Sequence, residues 1–289
     1  MYERLVYHEK QVKVINVLGM YRNNSSYLDF LFKIFEQWES TYYVEFRYFF
    51  MENNSTDDTR EKILNFVKTR PKSKAVLFNA KKDYVNMEDG RNFNRISTLA
   101  KLRNKLIDCI TPLSEDQWCI FVDSNIYFRY DVLQDIFKHD FSKHPDIGMI
   151  CVYTQQLLLP ELHLKNATEP ALMNHFYDTY SFLDNNNRSF YPLCAFEKCP
   201  ICTKYQTDKT HPRIKQNQEI TEVNSCFGGF VLINSDVLND KRIRWETILY
   251  DMYTDKSLCE HYLFCDRLRS VSNKKIVILQ NVDRLYRTV

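Results

Sequence analysis

The apolar run Cys119-Ile120-Phe121-Val122 breaks at Asp123-Ser124-Asn125 and resumes at Ile126-Tyr127-Phe128. A short unbroken apolar run reads as a strand buried on both faces, the pattern of a parallel sheet covered by helices. Such a strand delivers Asp123 to its carboxyl end, where open α/β sheets bind ligands. A carboxylate, a hydroxyl and a carboxamide at that point suit a hard divalent cation or the hydroxyls of a sugar. The same residues suit a helix start. Val132, Leu133, Ile136 and Phe137 recur at helical spacing just beyond Tyr130-Asp131, and Asp123 or Ser124 could cap that helix. Both readings stand on these residues alone.

The rest of the chain repeats the alternation. Val12 to Leu18 is a β-branched run ending in Gly19, and Leu28, Leu31, Phe32 and Phe35 follow at helical spacing over about 26–39. Tyr43 to Met51 is a second strand, opening into the polar loop Glu52-Asn53-Asn54-Ser55-Thr56-Asp57-Asp58-Thr59, where Ser55 and Asp58 have capping-box spacing ahead of Ile63, Leu64, Phe66 and Val67. A third strand covers 75–78. The spacing then predicts an amphipathic helix over 91–109, with Arg95, Lys101, Arg103 and Lys105 on its solvated side. Further strands are expected at 147–153, after the glycine turn Gly228-Gly229, and at 275–280, with a helix over 256–269 carrying Cys259-Glu260-His261. The two glycines are expected at positive φ or against a ligand. The expected fold is α/β, a mostly parallel Rossmann-type sheet with helices on both faces. Irregular sequence from about 155 to 220 reads as a substrate-facing insertion. Residues 1–289 form one domain, its nucleotide-binding half about 12–153 and its acceptor-side half about 154–289.

A net charge of +2, from 39 basic and 37 acidic residues, gives no bias toward nucleic acid. The N-terminus lacks an apolar signal core, and no stretch approaches the ~20 apolar residues that span a bilayer. The nine cysteines, odd in number and scattered, read as reduced thiols. Together these features predict a soluble, cytoplasmic protein. The sequons at Asn23, Asn24, Asn53, Asn54, Asn166 and Asn187 matter only in a secretory lumen. Cys194, Cys199, Cys202 and His211 have a spacing compatible with structural zinc, although unpaired thiols around Pro200 are the preferred reading.

Four features fall in one order: the Glu52–Thr59 loop, Asp123-Ser124-Asn125, Phe227-Gly228-Gly229-Phe230, and Glu260 in a late helix. In order and spacing, over about residues 12 to 280, they resemble the GT-A fold glycosyltransferases. Within that superfamily the chain is most similar to the cryptococcal capsule-associated mannosyltransferases, through Glu-Asn-Asn-Ser-Thr-Asp, Leu102-Arg103-Asn104, Tyr177-Asp178-Thr179 and Cys-Glu-His.

The resemblance implies a nucleotide-sugar donor, UDP- or GDP-linked, and a glycan or glycoprotein acceptor. It implies catalytic roles for Asp123 and Glu260, and donor contacts from Glu52, Asn54, Asp58, Arg95, Arg103, Asp123, Ser124 and Asn125. Asp178, Gly228 and Gly229 would face the acceptor. A divalent cation, Mn2+ or Mg2+, would sit on Asp123 and Asn125, with His261 as a further ligand. The chemistry has a physical rationale: a departing diphosphate needs positive charge, and an oxocarbenium-like carbon needs carboxylates nearby. Two departures stand out. Asn125 replaces an expected carboxylate, and the tail 281–287 has no histidine. A sugar-binding protein without catalysis, or a nucleotidyltransferase, are the alternatives; the latter lacks a glycine-rich phosphate cradle after the first strand.

Overall fold

The structure, a computed structural model, describes residues 3–7, 10–79, 92–114, 117–139, 141, 144–158, 171–176, 178, 180–188, 219–251, 256–280, 282 and 286–288. After a short antiparallel pair, Val6–Tyr7 with Lys10–Gln11, the first strand of the large sheet, β1 (Val14–Tyr21), is buried almost throughout. It leads into α1 (Ser25–Thr41), whose Tyr27, Leu28, Leu31, Ile34, Phe35 and Trp38 repeat every three or four residues and form the buried face. Next come β2 (Glu45–Asn53), α2 (Thr59–Lys68), β3 (Lys74–Phe78), α3 (Phe93–Asp108) and β4 (Trp118–Val122). Asp123 follows β4 directly. The short strand β5 (Ile126–Tyr127) then intervenes before α4 (Val132–Phe137), whose N-cap position belongs to Asp131. Asp123 is therefore no helix cap.

The chain continues through β6 (Ile147–Val152), β7 (Gln155–Leu158), β8 (Ala171–Phe176), β9 (Ile220–Val223) and β10 (Phe230–Asn234). It closes with α5 (Ser235–Asn239), α6 (Glu260–Ser272), β11 (Lys275–Leu279) and β12 (Tyr286–Thr288). Eight strands form one sheet in the order β9-β11-β6-β10-β4-β1-β2-β3. The block β4-β1-β2-β3 is parallel. Side chains alternate between its faces, Ile120 and Val122 joining the core under α1 and α2, Cys119 and Phe121 the core with α3 and α6. Both faces are covered, as the unbroken apolar runs predict.

Two strands break the parallel rule, the edge strand β9, antiparallel to β11, and β10, which matters for the site. β10 runs antiparallel between β4 and β6. Its first residue, Phe230, therefore pairs with the last of β4, Val122, and brings Gly228-Gly229 to the same sheet end as Asp123. Both glycines have positive φ, 70° and 73°. A second sheet, β8-β7-β12-β5, returns the end of the chain beside the strand that follows Asp123.

Several boundaries move. The late helix begins at Glu260, because Lys256–Ser257 pairs as a strand with Leu249–Asp251. Ser55 caps nothing: α2 starts at Thr59 after Asp58, and the Ser55 hydroxyl accepts the Asn23 N–H instead (3.1 Å). Within the region read as an irregular insertion, β7 and β8 pair as an antiparallel hairpin. The array Cys194, Cys199, Cys202 and His211 lies outside the described residues.

The reading of every cysteine as a reduced thiol is corrected. Cys151 of β6 and Cys226, just before the glycine turn, are disulfide-bonded across a separation of 75 residues. Cysteine count therefore no longer argues for a reducing compartment. Among the described residues no helix is long and apolar enough to cross a membrane. Both bonded cysteines are fully buried, so the cross-link restrains the unfolded chain while sitting inside the core. The Cys151→Ala/Cys226→Ala variant should lose about 2–4 kcal/mol of unfolding free energy. Urea titration measures it, and a loss within error of zero would mean that packing alone holds the turn.

Candidate active site

At the carboxyl end of β1 and β2 two loops are stitched together. Asn24 N–H donates to Thr59 Oγ1 (2.8 Å), Ser25 N–H to Asp57 Oδ2 (3.1 Å), and Thr56 N–H to Asn23 Oδ1 (2.8 Å). Asn23 and Asn54 take the left-handed conformation that asparagine tolerates better than most residues. Glu52 is the buried peg of this arrangement. One carboxylate oxygen accepts the Ser55 N–H (2.6 Å) and the other the Arg60 Nε–H (2.7 Å). Asp58 is exposed and pairs with Lys62 at 3.7 Å, and Lys62 also bonds Asp29 of α1. The acidic character of this loop thus serves its own shape.

Asp123 stands one strand away, its side chain 31 % exposed. Its N–H donates to Gly229 O (2.8 Å), and its carbonyl accepts the Tyr27 hydroxyl (3.1 Å). Gly228 N–H donates to Asp178 Oδ2 (3.1 Å). The glycine turn therefore holds the Asp123 backbone through Gly229 O and the Asp178 carboxylate through the Gly228 N–H. A Cβ on Gly229 would lie 2.6 Å from Ile126 Cδ1 and one on Gly228 3.0 Å from Val152 O, so close packing as well as positive φ excludes larger residues.

Behind Asp123 lies a chain of charge and aromatic contacts. Arg103 of α3 is buried, ion-paired through Nη1 with Glu260 Oε1, and its Nη2 lies 4.0 Å from Asp123 Oδ1. The next residue, Asn104, makes two hydrogen bonds with the backbone of Trp245 (2.8 and 2.9 Å). The Trp245 indole N–H then donates to His261 Nδ1 (3.0 Å), and His261 Nε2 lies 3.7 Å from Glu260 Oε1. Phe227 stacks on His261 at 3.9 Å and lies 5.1 Å from the Arg103 guanidinium carbon.

The electrostatics follow from burial. Desolvation alone would raise the Glu260 carboxyl, but the neighbouring His261 imidazole and the charge and hydrogen bond of Arg103 hold it below its ordinary range. Burial pushes His261 down to about 3, against the pull of Glu260, so it is neutral near pH 7 and Arg103 is the counter-charge there. Because Nδ1 accepts from Trp245, the single proton of neutral His261 sits on Nε2. Neither nitrogen then offers a lone pair to a cation, and Glu260 and Arg103 stand between His261 and Asp123. The buried group Cys259, Glu260 and His261, whose ligand atoms lie within 4.8 Å of one another, is disfavoured for a metal for the same reason and by the Arg103 charge.

Of the residues singled out from sequence, the structure brings together Asp123, Arg103, Glu260, Asp178, Gly228 and Gly229. Ser124 and Asn125 follow Asp123, half-buried, in the turn before β5. Arg103 was expected on the solvated side of α3 and is instead its most buried cation, because Glu260 neutralises it. Arg95 is half-buried one turn from the start of α3, and its N–H bonds the capping Asn92 side chain (3.5 Å). Glu52 and Asp58 spend their charge inside the stitched loops. Trp245 escaped sequence reading, and Asn104 and Phe227, although they lie in the motifs Leu102-Arg103-Asn104 and Phe227-Gly228-Gly229-Phe230, showed none of these contacts there, since the contacts join distant segments.

A mixed α/β sheet with an acidic residue and a glycine turn at one sheet end has its candidate ligand-binding groups in the crevice outside the strand ends. The model of the family described as cryptococcal mannosyltransferase 1 matches residues 49–266, about three quarters of the chain. The chain belongs to that family, a family of glycosyltransferases. No curated protein sequence matches it. Among solved structures it is similar to residues 1–349 of S. aureus TarS in complex with UDP-GlcNAc, at 15 % identity and a TM-score of 0.48, covering 95 % of this chain and 58 % of that one. It is also similar to the mannosyltransferase PcManGT of Pyrobaculum calidifontis in complex with GDP-Man and Mn2+, at 10 % identity and a TM-score of 0.48, covering 99 % and 59 %. GalNAc-T7 with UDP, GalNAc and Mn2+ gives 10 % identity and a TM-score of 0.49, covering 96 % and 43 %. The chain thus spans less than two thirds of the length of these proteins.

The state of His261 has a pH signature. Between its ordinary 6.5 and its folded value of about 3, the unfolded chain binds a proton that the folded chain does not. Its contribution is full above pH 6.5 and is lost as pH falls, by up to about 1.4 kcal/mol per unit. Urea midpoints measured from pH 7.5 to 4.5 should therefore decline less steeply in His261→Gln than in the wild type. Equal slopes would assign the acid loss to other groups.

Proposed function

We propose that the protein transfers a hexosyl group, with mannose the first candidate, from a nucleotide-sugar donor to a hydroxyl of a glycan or glycoprotein. The observation that carries this reading is Asp123: a half-open carboxylate at the end of a central strand, beside a permanently charged guanidinium and a glycine turn. Family membership and the fold support it. The alternative of a nucleotidyltransferase finds no glycine-rich cradle after β1, where the chain instead runs Met20-Tyr21-Arg22-Asn23-Asn24.

The stitched loops after β1 and β2 form a rigid wall for the nucleoside, with Asn54 on it. Asp123, with Ser124 and Asn125, faces the sugar and phosphates. An all-oxygen set with one carboxylate fits a hard divalent cation that keeps waters and donor phosphates in its shell. Asp123 and Asn125 would hold Mn2+ or Mg2+ there, and the cation would supply positive charge toward the departing diphosphate. Asp178, held by the glycine turn, faces the acceptor. Glu260 acts mainly through charge: a depressed pKa makes it a weak proton acceptor, and its ion pair fixes Arg103 beside Asp123.

Asp123→Ala should abolish transfer and slow donor hydrolysis by at least a hundredfold while leaving the circular dichroism spectrum unchanged. Release of nucleoside diphosphate from UDP- and GDP-sugars, with and without Mn2+, provides the assay. Wild-type rates in the variant would remove Asp123 from the reaction, and release of pyrophosphate would point to nucleotidyl transfer.

A further inference from the structure

The cations at the crevice end of the sheet are mostly spent on the protein's own anions. Arg60 holds Glu52, Arg103 holds Glu260, and Lys62 holds Asp29 and Asp58. Arg22 differs. Its Nε–H is buried without a hydrogen-bond partner, and among the described residues no carboxylate pairs with its guanidinium. The residue is nonetheless fixed in place, since its backbone N–H donates to Asn24 Oδ1 (3.0 Å) within the stitched loop.

Register places it. β1 lies between β4 and β2, with Leu18 beside Phe121 and Tyr21 beside Glu52. Arg22 follows Tyr21, so its loop leaves the sheet between the strand ends that carry Asp123 and Glu52, about 5 Å from each neighbouring strand. The nucleoside wall lies on one side and the Asp123 turn on the other.

A half-buried guanidinium whose N–H lacks an acceptor costs free energy in the empty protein, and such groups are rare unless something supplies the missing oxygen. Arginine presents a planar fork matched to phosphate oxygens. We infer that Arg22 binds the diphosphate of the nucleotide-sugar donor. This assignment rests on the donor reading given above and goes beyond it, because Arg22 lies outside the span matched by the family model and Arg103 is already committed to Glu260.

The experiment compares wild type, Arg22→Gln and Arg22→Lys by calorimetric titration with GDP, UDP, guanosine and uridine, and by thermal melting without ligand. Arg22→Gln should lose about ten- to a hundredfold in affinity for the diphosphate that wild type binds, the range of a hydrogen bond to a charged group. Its affinity for the matching nucleoside should be unchanged and its melting temperature no lower, and Arg22→Lys should recover part of the loss. Undiminished diphosphate affinity in Arg22→Gln overturns the inference and leaves the donor reading intact. Equal losses for diphosphate and nucleoside overturn it in favour of loop packing. A wild type that binds neither diphosphate overturns the donor reading, and this inference with it.

Discussion

Two opposite charges, Arg103 and Glu260, sit in the interior and meet across 157 residues of sequence. An isolated buried charge is costly, so each of these groups is tolerable only because the other is present. The pair need add little net stability, yet losing one partner leaves an uncompensated charge. That makes it a registration device between α3 and the first turn of α6. Asp123, Phe227, His261 and Trp245 are all placed around it. The guanidinium reaches toward Asp123 because its other edge is anchored on Glu260.

The two halves of the site are organised by different forces. On the side of the two stitched loops, backbone N–H groups left over at the ends of β1 and β2 are satisfied by short polar side chains, Asn23, Ser55, Asp57 and Thr59, from the opposite loop. On the other side, aromatic stacking carries the geometry: Trp245 lies flat on Phe264 at 3.8 Å and Phe227 on His261. The disulfide at Cys226 joins the aromatic side to β6, immediately before the turn whose backbone touches Asp123 and Asp178. A site built this way is largely preorganised, which suits chemistry that depends on placing fixed charge near a leaving group.

Much of the framework was legible without coordinates. The burial of Cys119 to Val122 on both faces, the helical repeat of Leu28, Leu31 and Phe35, and the positive φ of Gly228 and Gly229 are consequences of residues close together in sequence. Periodicity fixes which face is apolar, and glycine's missing Cβ marks where the backbone turns sharply. Asp123 could be placed at a strand end for the same reason, although only β5 and the late start of α4 separated the ligand-side reading from the helix-cap reading.

What remained hidden is what depends on distant partners. Nothing near Arg103 says that it is buried, since a cation on an amphipathic helix is ordinarily solvated and its counter-ion lies in α6. Ser55 has the spacing of a cap, yet Asn23 N–H claims its hydroxyl. His261 looks like a ligand until Trp245 donates to it, and nine scattered cysteines do not reveal that Cys151 and Cys226 face each other across adjacent elements. Sequence by itself determined the strands, the helices and the end of the sheet where polar groups collect, because those follow from local stereochemistry and the exclusion of apolar surface from water. Tertiary structure alone decided which charges are spent and which are left over, because a charge inside a protein is defined by the partner that folding brings within a few ångströms.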